Sequence, residues 1–173
     1  MANPVIISDY NPRWPILYEE EKSRILSVIG DKVVTIEHIG STAVPGLGAK
    51  SIIDIMVGVH RLVDAEECIK PLQSIGYEYF PPSEVGIPER RYFDRTGYHL
   101  HMVEVTSEFW ERHLIFRYYL QTHPEVAQQY LKLKQDLADK YGTDRESYTD
   151  AKTSFIDQVV ARARIENKIN SKG

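Results

Sequence analysis

Gly40 and Ser41 end one apolar run, and Asp54 is the single carboxylate inside the next, thirteen residues beyond the serine. Between the two runs lies a Gly/Pro-containing loop, residues 40–51, with Lys50 near its end. Glycine permits a sharp turn and a close ligand approach, and serine adds a hydroxyl and a backbone N–H for a phosphate. A lone carboxylate in an apolar strand is costly to bury without a partner. A metal ion, a basic side chain, a cleft or backbone N–H groups at a sheet end would each supply one. Two residues on, where a second acid would complete a metal-binding pair, the chain has Met56. The glycine-rich signature of dinucleotide folds and the Gly-Lys-Ser/Thr ending of a Walker loop are both absent.

His99 and His101 stand two apart in a strand-like run, so both imidazoles face one side of it. Such a pair can chelate a metal, contact a phosphate, or sit on a solvated or hydrogen-bonded sheet face. Two imidazoles need a third ligand to define a metal site. Asp54 is the candidate if the two strands are neighbours. Several cations could meet an anion: Lys50, the Arg90-Arg91 pair, Arg117 in an aromatic run, and Lys134 and Lys152, each four residues after a tyrosine. Each could equally be a solvated or snorkelling charge. Glu37-His38 adds polar groups before the loop. His60, His113 and His123 have no assigned chemistry, and Phe109, Trp110, Phe116 and Tyr119 read as core.

These residues need elements to position them. Helical spacing predicts helices over 13–30, 63–75, 108–121, 124–141 and 146 to about 168. Ser107 is the expected N-cap of the third, Thr122-x-x-Glu125 and Thr143-x-x-Glu146 the start signals of the last two. β-branched and alternating runs predict strands at 33–39, 52–59 and 77–80, then a hairpin, 90–94 with 98–105. Residues 1–12, 81–89 and the tail from Asn170 read as irregular. The order predicts an α+β domain with a mixed sheet and a helical C-terminal part.

With 173 residues, one domain is expected, long enough to bury roughly 70% of its unfolded surface. A net charge of −4 argues against a general nucleic-acid-binding surface but leaves room for a local basic pocket. Cys68, the one cysteine, cannot form an internal disulfide and reads as a half-buried helix thiol. The start of the chain lacks the pattern of a signal peptide, and no apolar run reaches the length of a membrane span, so the cytoplasm is the expected location.

The motifs together resemble the GrpB (glutamate-rich protein B) family of the nucleotidyltransferase-like superfamily. They begin with Tyr10-Asn-Pro-Arg-Trp-Pro and Glu37-His-Ile-Gly-Ser-Thr-Ala-Val-Pro-Gly-Leu, then Ala49-Lys50 and Ile53-Asp54-Ile55. Arg90-Arg91-Tyr-Phe, His99-Leu-His101, Phe116-Arg117-x-Tyr-Leu, His123-Pro124-Glu125 and Tyr148-x-x-Ala-Lys152 follow. The resemblance implies a nucleotidyltransferase-like fold that moves a nucleotidyl group from a nucleoside triphosphate to a small acceptor. In that reading Gly40 and Ser41 seat the phosphates, Lys50, Arg91, Arg117 and Lys152 balance charge, and Ser41, Lys50 and Asp54 serve catalysis. Asp54, His99 and His101 would hold a divalent metal (Mg, Mn or Zn). The superfamily's second acid is replaced by Met56, and a later acid by the histidine pair. Two further readings follow: a catalytically silent module that binds a nucleotide or phosphorylated metabolite, and a metal-dependent hydrolase. GrpB domains are also similar to a domain fused to some dephospho-CoA kinases.

Overall fold

The computed structural model describes residues 6–171. Helix α1 (Trp14–Ile29) leads into β1 (Thr35–Ile39) and, after the Gly/Pro loop, β2 (Ile53–Val59). Then come α2 (Ile69–Ser74), β3 (Glu78–Phe80), α3 (Pro82–Val85), the hairpin β4 (Arg90–Arg95) and β5 (Tyr98–Glu104), and helices α4 (Glu108–Thr122), α5 (Pro124–Tyr141) and α6 (Arg145–Ser171). The strands form one sheet in the order β1-β2-β5-β4-β3. Only β2 and β5 pair in parallel; the other neighbours are antiparallel. The mixed sheet and helical C-terminal part are as the sequence implies.

Strand alternation gives the sheet two unlike faces. Ile36, Ile53, Ile55, Val57, Leu100, Met102 and Phe93 point to one side and pack with Trp14, Ile25 and Ile29 of α1 and Leu72 of α2 in the main core. Within it, buried Glu21 accepts hydrogen bonds from Arg95, Arg24 and Tyr77, which leaves its carboxylate paired. The other face carries Ile39, Asp54, Met56, Gly58, His99, His101, Arg90, Tyr92 and Asp94. Its lower half is apolar: Met56 is fully buried with Ile39, Val103 and Trp110. Its upper half is polar and opens beneath α4, α5 and α6.

Several elements depart from the sequence reading. The first half of the helix expected at 63–75 is a 3-10 run, Leu62–Cys68. Pro71 lacks an N–H and is tolerated only in a first helical turn, so the α-helix starts at Ile69. Cys68 is fully buried, not half-buried. The expected loop 81–89 contains α3, stopped by Gly86 at a left-handed φ of 74°. Ser107 caps α4 as expected, its hydroxyl accepting the Trp110 N–H. Thr122 does not cap α5; its hydroxyl donates back to the Tyr118 carbonyl. At the start of α6 the cap is Asp144, which accepts the Ser147 N–H, in place of Thr143. Helix α6 runs on to Ser171, past the tail expected from Asn170. Residues 1–5, 172 and 173, read as irregular, lie outside the described residues.

Gly58 shows how tightly α4 seats on the site-bearing face. A Cβ there would collide with Val105 Cγ1 and lie 2.9 Å from the Trp110 ring. Gly58→Ala is therefore expected to lower stability by about 1–3 kcal/mol through overpacking, read as a lower urea midpoint at unchanged m-value. An unchanged midpoint would contradict this packing.

Candidate functional site

The parallel register places Asp54 opposite His99 and Met56 opposite His101. On the far side of β5, Asp94 pairs with His99 and Tyr92 with His101. Two adjacent rows of side chains thus cross three strands on one face. Asp54, His99 and His101 of these rows line a cavity of about 580 Å³ between the sheet, the Gly/Pro loop and helices α4, α5 and α6. That volume falls within the range of small-ligand sites.

Asp54 Oδ1 lies 3.0 Å from His101 Nε2 and 3.5 Å from His99 Nδ1. His101 Nδ1 lies 3.1 Å from the Arg90 guanidinium. A guanidinium only donates, so Nδ1 must be the accepting nitrogen and Nε2 must carry the proton given to Asp54. Burial pushes the His101 pKa down against the pull of Asp54, which keeps the ring neutral. For Asp54, burial pushes upward, but the hydrogen bonds from His101 and His99 outweigh it and hold the carboxyl well below the usual range. His99 Nε2 reaches Asp94 Oδ2 at 3.6 Å, so this ring bridges two carboxylates.

Gly40 belongs to the same contact. It has a left-handed φ of 75°, and a Cβ on it would lie 2.9 Å from Asp54 Oδ2. Ser41 begins a 3-10 turn, Ser41–Ala43. Its hydroxyl accepts from Lys134 Nζ at 2.9 Å, and the same ammonium reaches the Gly48 carbonyl at 2.9 Å. Lys134 is only 4% exposed. Burial first, then Lys152 and Lys50, lower its pKa to about 7. Lys152 is lowered too, by burial and against the attraction of Asp54. Lys50 and Lys152 flank the Tyr148 ring at 5.4 and 5.5 Å from its centroid, and Lys134 sits over Tyr130. The Tyr148 hydroxyl is buried and has no partner among the described residues.

Gly40, Ser41, Lys50, Asp54, His99, His101 and Lys152 all line this cavity. Arg91 and Arg117 do not. Arg91 alternates to the opposite face, where it bonds the Pro88 carbonyl and pairs with Glu66. Arg117 donates to Glu37 and to the His38 carbonyl, bracing β1. His38 also faces away and bonds Thr42. Arg90 and Lys134, named from sequence only among the possible anion contacts, line the cavity as well. Arg90 was hidden beside Arg91, although a period of two from Asp94 and Tyr92 marks its face. Lys134 shares a helix face with Tyr130, but only the packing of α5 against the Gly/Pro loop reveals its burial.

The donor set does not fit a metal held by Asp54, His99 and His101. The one lone pair of His101, on Nδ1, is already taken by Arg90, and Nε2 is a donor. Among the described residues no group of three or more His, Cys, Asp or Glu side chains is arranged to ligate an ion. In this arrangement the tridentate reading, and the hydrolase built on it, find no support.

The sequence profile described as "GrpB protein" matches residues 4–162. A protein named glutamate-rich protein GrpB from Alkalihalophilus pseudofirmus is 38% identical over 165 residues, covering 90% of this chain and 94% of the relative. A dephospho-CoA kinase from Mycolicibacterium paratuberculosis is 26% identical over 187 residues, and the match covers 92% of this chain and 46% of the kinase. The crystal structure of GrpB from Enterococcus faecalis superposes with a TM-score of 0.79 at 32% identity, covering 94% of this chain and 99% of the other. Cid1, solved in complex with its short product ApU, superposes with a TM-score of 0.52 at 14% identity over 74% of this chain and 42% of its own. That likeness shows a nucleotidyltransferase-like fold.

If the histidine cluster is a hydrogen-bond network, metals should not stabilise it. Thermal unfolding with EDTA or with excess Zn²⁺ is expected to give midpoints within about 1 °C of each other, since only a ligand of the native state shifts the equilibrium. A rise of several degrees with Zn²⁺, lost in His101→Ala, would contradict the network.

Proposed function

The chain belongs to the GrpB family, and from that footing we propose that it binds a nucleoside polyphosphate or a similar phosphorylated metabolite in the cavity beside Asp54. The observation that carries this reading is the convergence of Lys50, Lys134 and Lys152 around Ser41 in a protein whose net charge is −4. Lys134 and Lys152 are both desolvated, and Lys152 and Lys50 together disfavour the charged form of Lys134, as its lowered pKa records. A multiply charged anion relieves that repulsion and adds charge-assisted hydrogen bonds. The buried Tyr148 hydroxyl and the Ser41 turn provide further polar contacts for phosphate oxygens. Asp54, held ionised, sets the boundary of the anion subsite by repelling phosphate from the histidine end. Burial of Met56 in an apolar cluster removes the second acid and favours binding over two-metal transfer.

A second reading, nucleotidyl transfer to a small acceptor, is supported by one feature. Asp54 is oriented by His101 and Arg90 against Gly40, at the junction between the phosphate end and the histidine end. There its carboxylate can orient an acceptor hydroxyl by hydrogen bonding. A divalent ion would then come with the nucleotide, and the protein's share would be positioning and charge neutralisation by the lysines. The cytoplasm suits such a ligand, and among the described residues no helix is long and apolar enough to cross a membrane.

Isothermal titration with inorganic triphosphate tests the first reading. Micromolar binding is expected, weakened at least tenfold in Lys152→Met. The pH dependence follows from Lys134. Its free-state pKa is about 7, and anion binding requires the charged form, so binding takes up a proton. With a nucleoside triphosphate, whose phosphate oxygens are ionised above about pH 7, affinity should fall by about tenfold or more between about pH 7.5 and 9, and Lys134→Met should flatten the slope. No binding, or an affinity that rises over this range, would contradict the lysine subsite. For the second reading, incubation with labelled nucleoside triphosphates, Mn²⁺ and small acceptors is expected to give a labelled adduct that Asp54→Asn abolishes. Product at an undiminished rate in that variant would remove Asp54 from the chemistry.

A further inference from the structure

The lysines line one end of the cavity. Another end is walled by one face of α4, where Phe109, Arg112, His113 and Phe116 recur at helical spacing, and by Ile156 of α6. It lies beyond His101, whose ring contacts Phe109 at a centroid distance of 5.7 Å. Phe109 in turn stacks on His113 at 4.0 Å and 24°. These contacts hold the His113 ring against Phe109. Arg112, at the same end, pairs with Asp157 of α6.

The tautomer of His113 follows from its neighbour. Nδ1 lies 2.8 Å from the Phe109 carbonyl oxygen. A carbonyl accepts only, so Nδ1 carries the proton and Nε2 is a bare acceptor. Burial pushes the ring's pKa to about 4, against that hydrogen bond, so it stays neutral at physiological pH. Among the described residues no group bonds Nε2. A fixed, neutral acceptor on the wall of a mostly apolar compartment discriminates by hydrogen bonding. A ligand with an N–H there is satisfied, whereas one with a lone pair leaves two acceptors facing each other.

We infer that the α4 end of the cavity is a subsite for a planar nitrogen heterocycle, such as a nucleobase, and that His113 selects it by accepting an amino or imide N–H. The ligand then spans the cavity. Its phosphates lie among the lysines, its sugar passes Asp54, and its base lies against Phe116 and Ile156 with an N–H on His113. This rests on the phosphate-binding reading above and adds what that reading leaves open, which is why a nucleotide would bind more tightly than its phosphates alone.

The test is a matched set of titrations on the full chain: inorganic triphosphate, the four common nucleoside triphosphates, and purine riboside triphosphate, whose base offers no N–H. Wild-type protein should bind at least one common nucleotide about tenfold more tightly than inorganic triphosphate. Purine riboside triphosphate should bind no better than inorganic triphosphate. His113→Phe should lose the nucleotide advantage, by roughly five- to tenfold for one hydrogen bond, while its affinity for inorganic triphosphate stays unchanged. His113→Gln, whose amide oxygen still accepts, should recover part of it. Equal affinity of wild type for nucleotides and triphosphate overturns the base subsite and leaves the phosphate reading standing. An equal loss for both ligands in His113→Phe overturns the selective role. Failure of wild type to bind triphosphate and nucleotides alike sinks both readings. Unfolding midpoints of both variants near wild type are the control for folding.

Discussion

The parallel pairing of β2 with β5 is the constraint on which the site depends. A parallel neighbour sets Asp54 beside His99 and one pleat from His101. One residue of slip would turn the histidines into the α1 core and bring Leu100 and Met102 up against the carboxylate. The apolar content of the opposite face forbids that slip, since Ile53, Ile55, Val57, Leu100 and Met102 are all buried there. The core therefore fixes the polar constellation it does not touch. Asp54 is affordable in this sheet because its partners arrive by register: His101 donates, Arg90 fixes the donor, and His99 links on to Asp94.

Two charged systems share the cavity and are kept apart by residue type. On the sheet, the Arg90–His101–Asp54 chain ends in one anion. On the helices and the Gly/Pro loop, Lys50, Lys134 and Lys152 gather around Tyr130 and Tyr148. Aromatic faces and the Gly48 and Ser41 oxygens make the burial of Lys134 tolerable, yet its pKa still falls to about 7. A protein gains little stability from holding such a residue charged or neutral at that depth. Its value lies in what an incoming anion recovers, which is the physical link from packing to ligand binding.

Much of this architecture was legible in the sequence. Periods of 3.6 and 2 gave the long helices and the strands because those elements bury one face each. The misses have local causes. Pro71 shifted a helix start, Asp144 outcompeted Thr143 as a cap, and Gly86 closed a short helix inside an expected loop. The site was legible where chemistry coincided with an odd residue in an apolar run, as at Asp54 and His99/His101. It was illegible where tertiary packing decides a side chain's fate. Arg90 and Arg91 are adjacent in sequence and reach opposite faces. Arg117 carries the right charge but is spent on Glu37. Lys134 looks like any surface lysine until α5 packs against the loop at Gly48. Arg90 also explains why the histidine pair, which reads as a chelate in sequence, is wired as a hydrogen-bond chain.

The central claim is that the lysine-lined end of the cavity seats phosphates. A crystal structure of the protein with a non-hydrolysable nucleoside triphosphate tests it most directly. The account predicts phosphate oxygens within hydrogen-bond reach of Ser41, Lys134 and Lys152, with Asp54 at the sugar side. Phosphate density elsewhere on the surface, with the three lysines in contact only with protein and solvent, would contradict it.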